Sequence, residues 1–167
     1  MRLLLAVLLV LTACRSASPA PVPPAAGPFA WTIGDWRGER VEAASGEAAP
    51  MRVTVRPVLG GAGRLEELEV AHPRGTYRGV HLLLHDVERD VWVSHYANEK
   101  GGRAVALEGS AEGETFVWRS TSPERTRESQ LVYERVGPTR WRRTQQFSED
   151  GGAHWEVLFR DELERAP

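Results

Sequence analysis

From Phe29 onward, apolar residues recur at every second position, in short runs closed by Gly, Pro, Asn or Asp. That period points the apolar side chains of each run to one face of an extended strand. The runs are Trp36 to Val41, Met51 to Val58, Arg64 to Ala71, Tyr77 to His85, Val91 to Tyr96, Arg103 to Leu107, Thr115 to Ser120, Glu124 to Arg135, Arg140 to Phe147 and Trp155 to Leu163. The breaks are Ala43 to Pro50, Gly60 to Gly63, His72 to Gly75, Asp86 to Asp90, Asn98 to Gly102, Gly109 to Gly113, Ser122-Pro123, Gly137-Pro138 and Asp150 to Gly152. Glycine in such breaks tolerates positive φ. One short helix is expected at Phe29 to Ile33, and little helix elsewhere.

About nine or ten strands joined by short hairpins form an antiparallel meander. An open meander of that width curls or splits, so the predicted fold is all-β: a single antiparallel up-and-down barrel of about 8–10 strands. Such a barrel is filled by side chains or holds one small ligand. A two-sheet sandwich ranks lower, because the long crossovers it needs are missing.

The first 28 residues break this pattern. Met1-Arg2 is followed by an apolar stretch from Leu3 to Leu11, too short to span a hydrocarbon core of about 30 Å as a helix. A positive start, a short apolar run and small residues after it are the parts of a secretory signal. Leu11-Thr12-Ala13-Cys14 resembles the lipobox of bacterial lipoproteins. That resemblance implies cleavage before Cys14, lipidation of its thiol and a membrane anchor without a transmembrane span. Arg15 stands where inner-membrane retention in such lipoproteins uses aspartate, so the expected location is the bacterial cell envelope, at the outer membrane where there are two. Ser16 to Pro28 is too rich in proline for helix or central strand and reads as a tether of up to roughly 40 Å. The expected division is residues 1–13 signal peptide, 14–28 lipidated cysteine and tether, and 29–167 barrel.

Composition narrows the classes further. Cys14 is the only cysteine of 167 residues, so no intramolecular disulfide is available and packing must stabilise the domain. The net charge of −2, with charges well mixed, carries no basic face and gives no reason to expect a nucleic-acid partner. Six tryptophans favour a β-rich fold.

Ile33-Gly34-Asp35-Trp36-Arg37-Gly38 resembles the Gly-X-Trp signature that opens lipocalin-like (calycin) barrels. The resemblance implies that Trp36 seals one barrel end against an arginine of the last strand, either Arg160 or Arg165. The wider order looks like an uncharacterised family of bacterial secreted proteins with a lipocalin-like barrel. It runs Gly34-Asp35-Trp36-Arg37-Gly38, Leu84-His85-Asp86 before Val91-Trp92, Gly109 with Glu112-Gly113, then Ser148 to Trp155. Gly34 to Glu39 is also close to the opening of nitrobindin-like heme-binding barrels, and by that resemblance His154 is a candidate heme ligand. Ser148-X-Asp150-X-Gly152-X-X-Trp155 matches the Asp-box of sialidase-type propellers. Those repeat it, and this chain has it once; a hairpin in which Asp150 bonds its own turn and Trp155 covers it accounts for the match.

His81 and His85 share a strand face and His95 follows on the next strand, which raises a zinc site. The opposite face, Val80, Leu82 and Leu84, is the cleaner apolar one, so the histidines are expected to point to solvent and no metal is assigned. Trp118, Arg127, Tyr133 and Arg142 are the ligand candidates if their faces turn inward; most arginines are expected outward, because a buried unpaired charge is costly. Glu66 and Glu67 lie on opposite strand faces and cannot share a site. No nucleophile motif or phosphate loop is present, so no catalytic residue is assigned and an enzyme is disfavoured. The expected activity is binding of a small apolar or amphipathic ligand, with no cofactor assigned. Heme binding with redox or nitrogen-oxide chemistry, and a structural lipoprotein that meets an envelope protein, are the alternatives.

Overall fold

The computed structural model describes residues 27–28, 30–101, 105–120 and 127–167. Cys14, the tether up to residue 26, Phe29 and the predicted strand starts at Arg103 and Glu124 lie outside those residues. Ten strands follow one 3-10 turn, Ala30–Thr32. They are β1 (Gly34–Glu42), β2 (Ala48–Val58), β3 (Gly63–His72), β4 (Gly75–Asp86), β5 (Val91–Asn98), β6 (Val105–Glu112), β7 (Thr115–Ser120), β8 (Glu128–Gly137), β9 (Arg140–Ser148) and β10 (Glu156–Arg165). A second 3-10 turn, Leu59–Gly61, joins β2 to β3. Each strand pairs antiparallel with the next, and β10 closes on β1, so the sheet is a closed up-and-down barrel with no edge strand.

Closure demands a near approach between first and last strands. Gly38 lies opposite Leu163, and a Cβ there would sit 1.7 Å from the Glu162 carbonyl oxygen, so only glycine fits. Gly109 corrects an expectation in the same way. The sequence predicts the start of a turn there, yet the residue lies inside β6, where a Cβ would stand 2.3 Å from the Phe116 ring and 2.5 Å from Trp118. Its missing side chain makes room for two aromatic rings rather than for a bend.

The interior is built from one parity of each strand. Trp36, Met51, Val53, Val55, Leu68, Val70, Leu83, Phe116, Trp118, Leu131, Tyr133, Trp141 and Leu163 are buried together. This phase overturns the expectation for β4. His81 and Leu83 are buried, while Val80, Leu82 and Leu84 face outward, where Leu82 pairs with Leu65 and Leu84 with Val93. Aliphatic side chains on the outer face cover one another across strands, and the interior volume goes to the larger aromatic rings.

One end of the barrel is closed by indoles. Trp31, on the 3-10 turn, and Trp36 both meet Trp141 edge-on at 6.0 Å, and Trp36 Nε1 donates to the Thr32 carbonyl at 2.6 Å. The arginine partner is Arg165: its guanidinium lies 4.6 Å from the Trp36 ring and Nη2 donates to the Ile33 carbonyl at 3.1 Å. Arg160 is exposed, paired in register with Val41 and Thr144 farther along β10.

Candidate functional site

Strand register assembles a charged row halfway down the barrel. Arg40 on β1 lies opposite Asp161 on β10, Asp161 opposite Arg143 on β9, and Arg143 opposite Tyr133 on β8. All four point inward and are buried. Glu66 reaches them from β3 across the interior: Tyr133 donates to Glu66 Oε2 at 2.8 Å, and Arg143 Nη1 donates to Glu66 Oε1. Asp161 accepts from Arg40 Nε at 2.8 Å and Nη2 at 3.1 Å, and from Arg143 Nε at 2.7 Å. Two guanidinium groups and two carboxylates thus balance. Each desolvated charge has a partner and hydrogen bonds, the condition under which buried charge is tolerated.

The electrostatics follow from this pairing. Burial raises the Asp161 carboxyl, but Arg143 and Arg40 outweigh it and hold it below its ordinary value. Burial pulls the Arg143 guanidinium down, and Asp161 and Glu66 more than reverse that, so it stays firmly charged. Burial, then the Glu66 charge, pushes the Tyr133 phenol well above its usual range, so it remains a neutral donor. Burial draws His81 down from 6.5 to about 4, so its imidazole is neutral at pH 7. Its Nδ1 lies 3.2 Å from Ser94 Oγ and its ring 4.5 Å from the Tyr96 ring. Nearer the closed end, Arg64 is buried above Trp92 at 5.5 Å and desolvation lowers it to about 10.

Above the row, towards the end opposite the indoles, the barrel holds a cavity of about 290 Å³. Leu68, Leu107 and Leu131 line its apolar sides, and Tyr77, Tyr96 and Phe159 ring its upper part. Arg40, Arg143, His81, Ser129 and Gln145 supply its polar surface. Leu158 also lines it, because a register shift between Val157 and Phe159 makes Leu158 the extra residue of a bulge, which re-aims a side chain at the barrel mouth. Arg40 lays its guanidinium on the Phe159 ring at 3.6 Å. Such a mixture of apolar walls and few polar groups is typical of small-molecule sites, and the volume is at the lower end of their range of about 300–1,000 Å³.

None of the four ligand candidates lines this cavity. Trp118 and Tyr133 are wholly buried in the core. Arg127 is exposed, stacked on Phe147 at 4.3 Å. Arg142 faces outward and pairs with Glu162 at 2.6 Å and Glu134 at 3.2 Å. Among the described residues the inward, buried arginines are instead Arg40, Arg64 and Arg143. Of the three histidines, His81 points in and His95 out, opposite Leu82, so they do not converge; no metal-holding group of His, Cys, Asp or Glu occurs among the described residues.

The Ser148 to Trp155 hairpin has its turn bonds. Ser148 Oγ donates to Asp150 Oδ1 at 2.7 Å, the His154 amide donates to Asp150 Oδ1 at 2.9 Å, and Gly151 and Gly152 take positive φ. His154 folds back on Asp150 through Nδ1, with its side chain 88% exposed. The hydrogen bond from the His154 side chain, joined by its amide and the Ser148 hydroxyl, holds Asp150 down at about 2. An axial heme ligand must face a pocket; His154 faces solvent, and the residues around it do not fit that group.

One signal in the sequence marks the inward face. Arg143 shares parity with Trp141 and Phe147, Arg40 with Trp36, and His81 with Tyr77. Along β4 the parity of Tyr77 and His81, not that of Val80, Leu82 and Leu84, tracks the interior. Fold and cavity together define an antiparallel barrel with a small open-mouthed pocket over a neutralised charge row. The sequence matches no protein-family model and no curated protein.

Proposed function

We propose that this barrel binds a small amphipathic molecule in its mouth, as a lipocalin-like carrier or sensor rather than an enzyme. The observation that carries the reading is the division of the interior. The half next to the indoles is packed solid with aromatic side chains, while leucines, tyrosines and Phe159 surround space left open above Arg40 and Arg143. A barrel meant only to present loops gains nothing from an unfilled apolar space, which forfeits packing contacts. The lipobox-like Leu11-Thr12-Ala13-Cys14 supports an envelope protein anchored through Cys14, with the ligand met in that compartment.

Native mass spectrometry of the full chain purified from its own host, beside an absorbance scan, tests the reading. A retained small-molecule mass is expected, and Leu131→Trp, which fills the cavity, should abolish it. A bare protein mass, with no uptake of apolar fluorescent probes by either form, would overturn ligand binding and favour an envelope-protein partner.

A further inference from the structure

We infer that the molecule held in the mouth carries an uncharged hydrogen-bonding head, such as a hydroxyl or amide, on an apolar chain of roughly ten heavy atoms. This deepens the binding reading and rests on it. Two arginines at the base of an apolar pocket would ordinarily invite a carboxylate, because guanidinium grips carboxylate in a fork. Here the fork is already occupied: Arg40 gives Nε and Nη2 to Asp161, and Arg143 is shared between Asp161 and Glu66. A ligand carboxylate arriving there would find no net positive charge and two buried carboxylates nearby, and would give up its hydration for little return. An ammonium head meets the same balanced row, whose carboxylates are already engaged by Arg40 and Arg143, and likewise gives up its hydration for little return.

The groups still able to bond a ligand are neutral ones or spare donors. Tyr77 and Tyr96 line the pocket, and each carries a neutral hydroxyl that can give and take a hydrogen bond. Gln145 donates through Nε2 to Ser129 Oγ at 2.7 Å and to the Gln130 carbonyl at 2.9 Å, which leaves its side-chain oxygen as an acceptor. Arg40 retains Nη1 as a donor, and His81 retains Nε2. Donors and acceptors together suit a head that both gives and takes a hydrogen bond, as an alcohol does. The size follows from the cavity of about 290 Å³, at roughly 30 Å³ for each water-sized group.

The test compares 1-decanol, decanoate and decylamine, which share one chain and differ in the head, by displacement of the neutral probe N-phenyl-1-naphthylamine from the full-length protein at pH 8. Decanol should bind at least about tenfold more tightly than either charged analogue, the factor equivalent to one 1.4 kcal/mol step. Glu66→Gln, which removes one negative charge from the row, should shift the preference about tenfold or more towards decanoate. Its melting curve shows whether it is folded, and the wild-type comparison stands without it. Decanoate or decylamine binding as tightly as decanol to the wild type overturns the uncharged head and leaves the pocket reading intact. Failure of all three to bind, together with a bare mass for the native protein, overturns both.

Discussion

Acidification between pH 6.5 and 4 should remove stability through His81. The side chain lies inside the barrel at 5% exposure, with Nδ1 3.2 Å from Ser94 Oγ and its ring against Tyr96. Burial lowers its pKa from 6.5 to about 4; Glu66 opposes that, Arg143 and Arg40 add to it, and Asp161 opposes. In the unfolded chain the ring titrates near its ordinary value, so below pH 6.5 the unfolded state binds a proton that the folded state refuses. Stability therefore rises with pH across this window: the contribution is whole above pH 6.5 and is lost as pH falls to about 4. At 1.36 kcal/mol per pH unit the loss comes to about 3 kcal/mol. With a urea dependence of about 1–3 kcal/mol/M, the unfolding midpoint should fall by roughly 1–3 M. His81→Gln keeps an amide for Ser94 and cannot titrate, so its midpoint should be nearly flat over the same range. Asp161, held below its ordinary value, gives up its own contribution only below about pH 4. A glutamine variant that loses as much stability as the wild type between pH 6.5 and 4 would refute the reasoning.

Arg143→Met leaves Glu66 with Tyr133 as its remaining bonded partner and takes one of two arginines from Asp161. It should cost about 3–5 kcal/mol in urea unfolding at pH 7.5. The double variant Arg143→Met with Glu66→Gln should recover a substantial part, and a cycle in which the two costs simply add would contradict a coupled charge row. Arg165→Ala removes the stack on Trp36 and the bond to the Ile33 carbonyl, for a loss of about 1–2 kcal/mol. Arg160→Ala, on the exposed face of the same strand, should stay within about 0.5 kcal/mol. Equal melting temperatures for these two variants would remove Arg165 from the closed end.

Most of the barrel is legible in the amino-acid sequence. Each observed strand overlaps a run read from period two and turn residues, and the 3-10 turn at Ala30–Thr32 lies within the predicted short helix. These signals are local: a hairpin is specified by its own turn chemistry and by neighbouring side chains. The departures have local reasons too. Gly109 carries the composition of a turn but serves ring packing in β6, and Ala48 to Pro50 begins β2, with Pro50 on the exposed outer face.

The site was less legible, because alternation separates two faces without saying which one is concave. Along β4 the aliphatic face, Val80 to Leu84, was the natural choice for a core, and along β9 the face of Arg142 competed with that of Arg143. Polar cost argued against placing arginine inside. That argument holds for a single unpaired charge and fails once Asp161 from β10 and Glu66 from β3 arrive to neutralise it. Glu66 and Arg143 are 77 residues apart, and nothing in either strand signals the other.

Strand number, turn positions and all-β character are thus properties of short stretches, set by side-chain period and backbone freedom over a few residues. The inward phase, the choice of Arg165 over Arg160, the balanced charge row and the cavity above it are properties of closure. They depend on which residues ten registers bring to the same level of one barrel, and on whether a charge at that level finds its opposite across the interior.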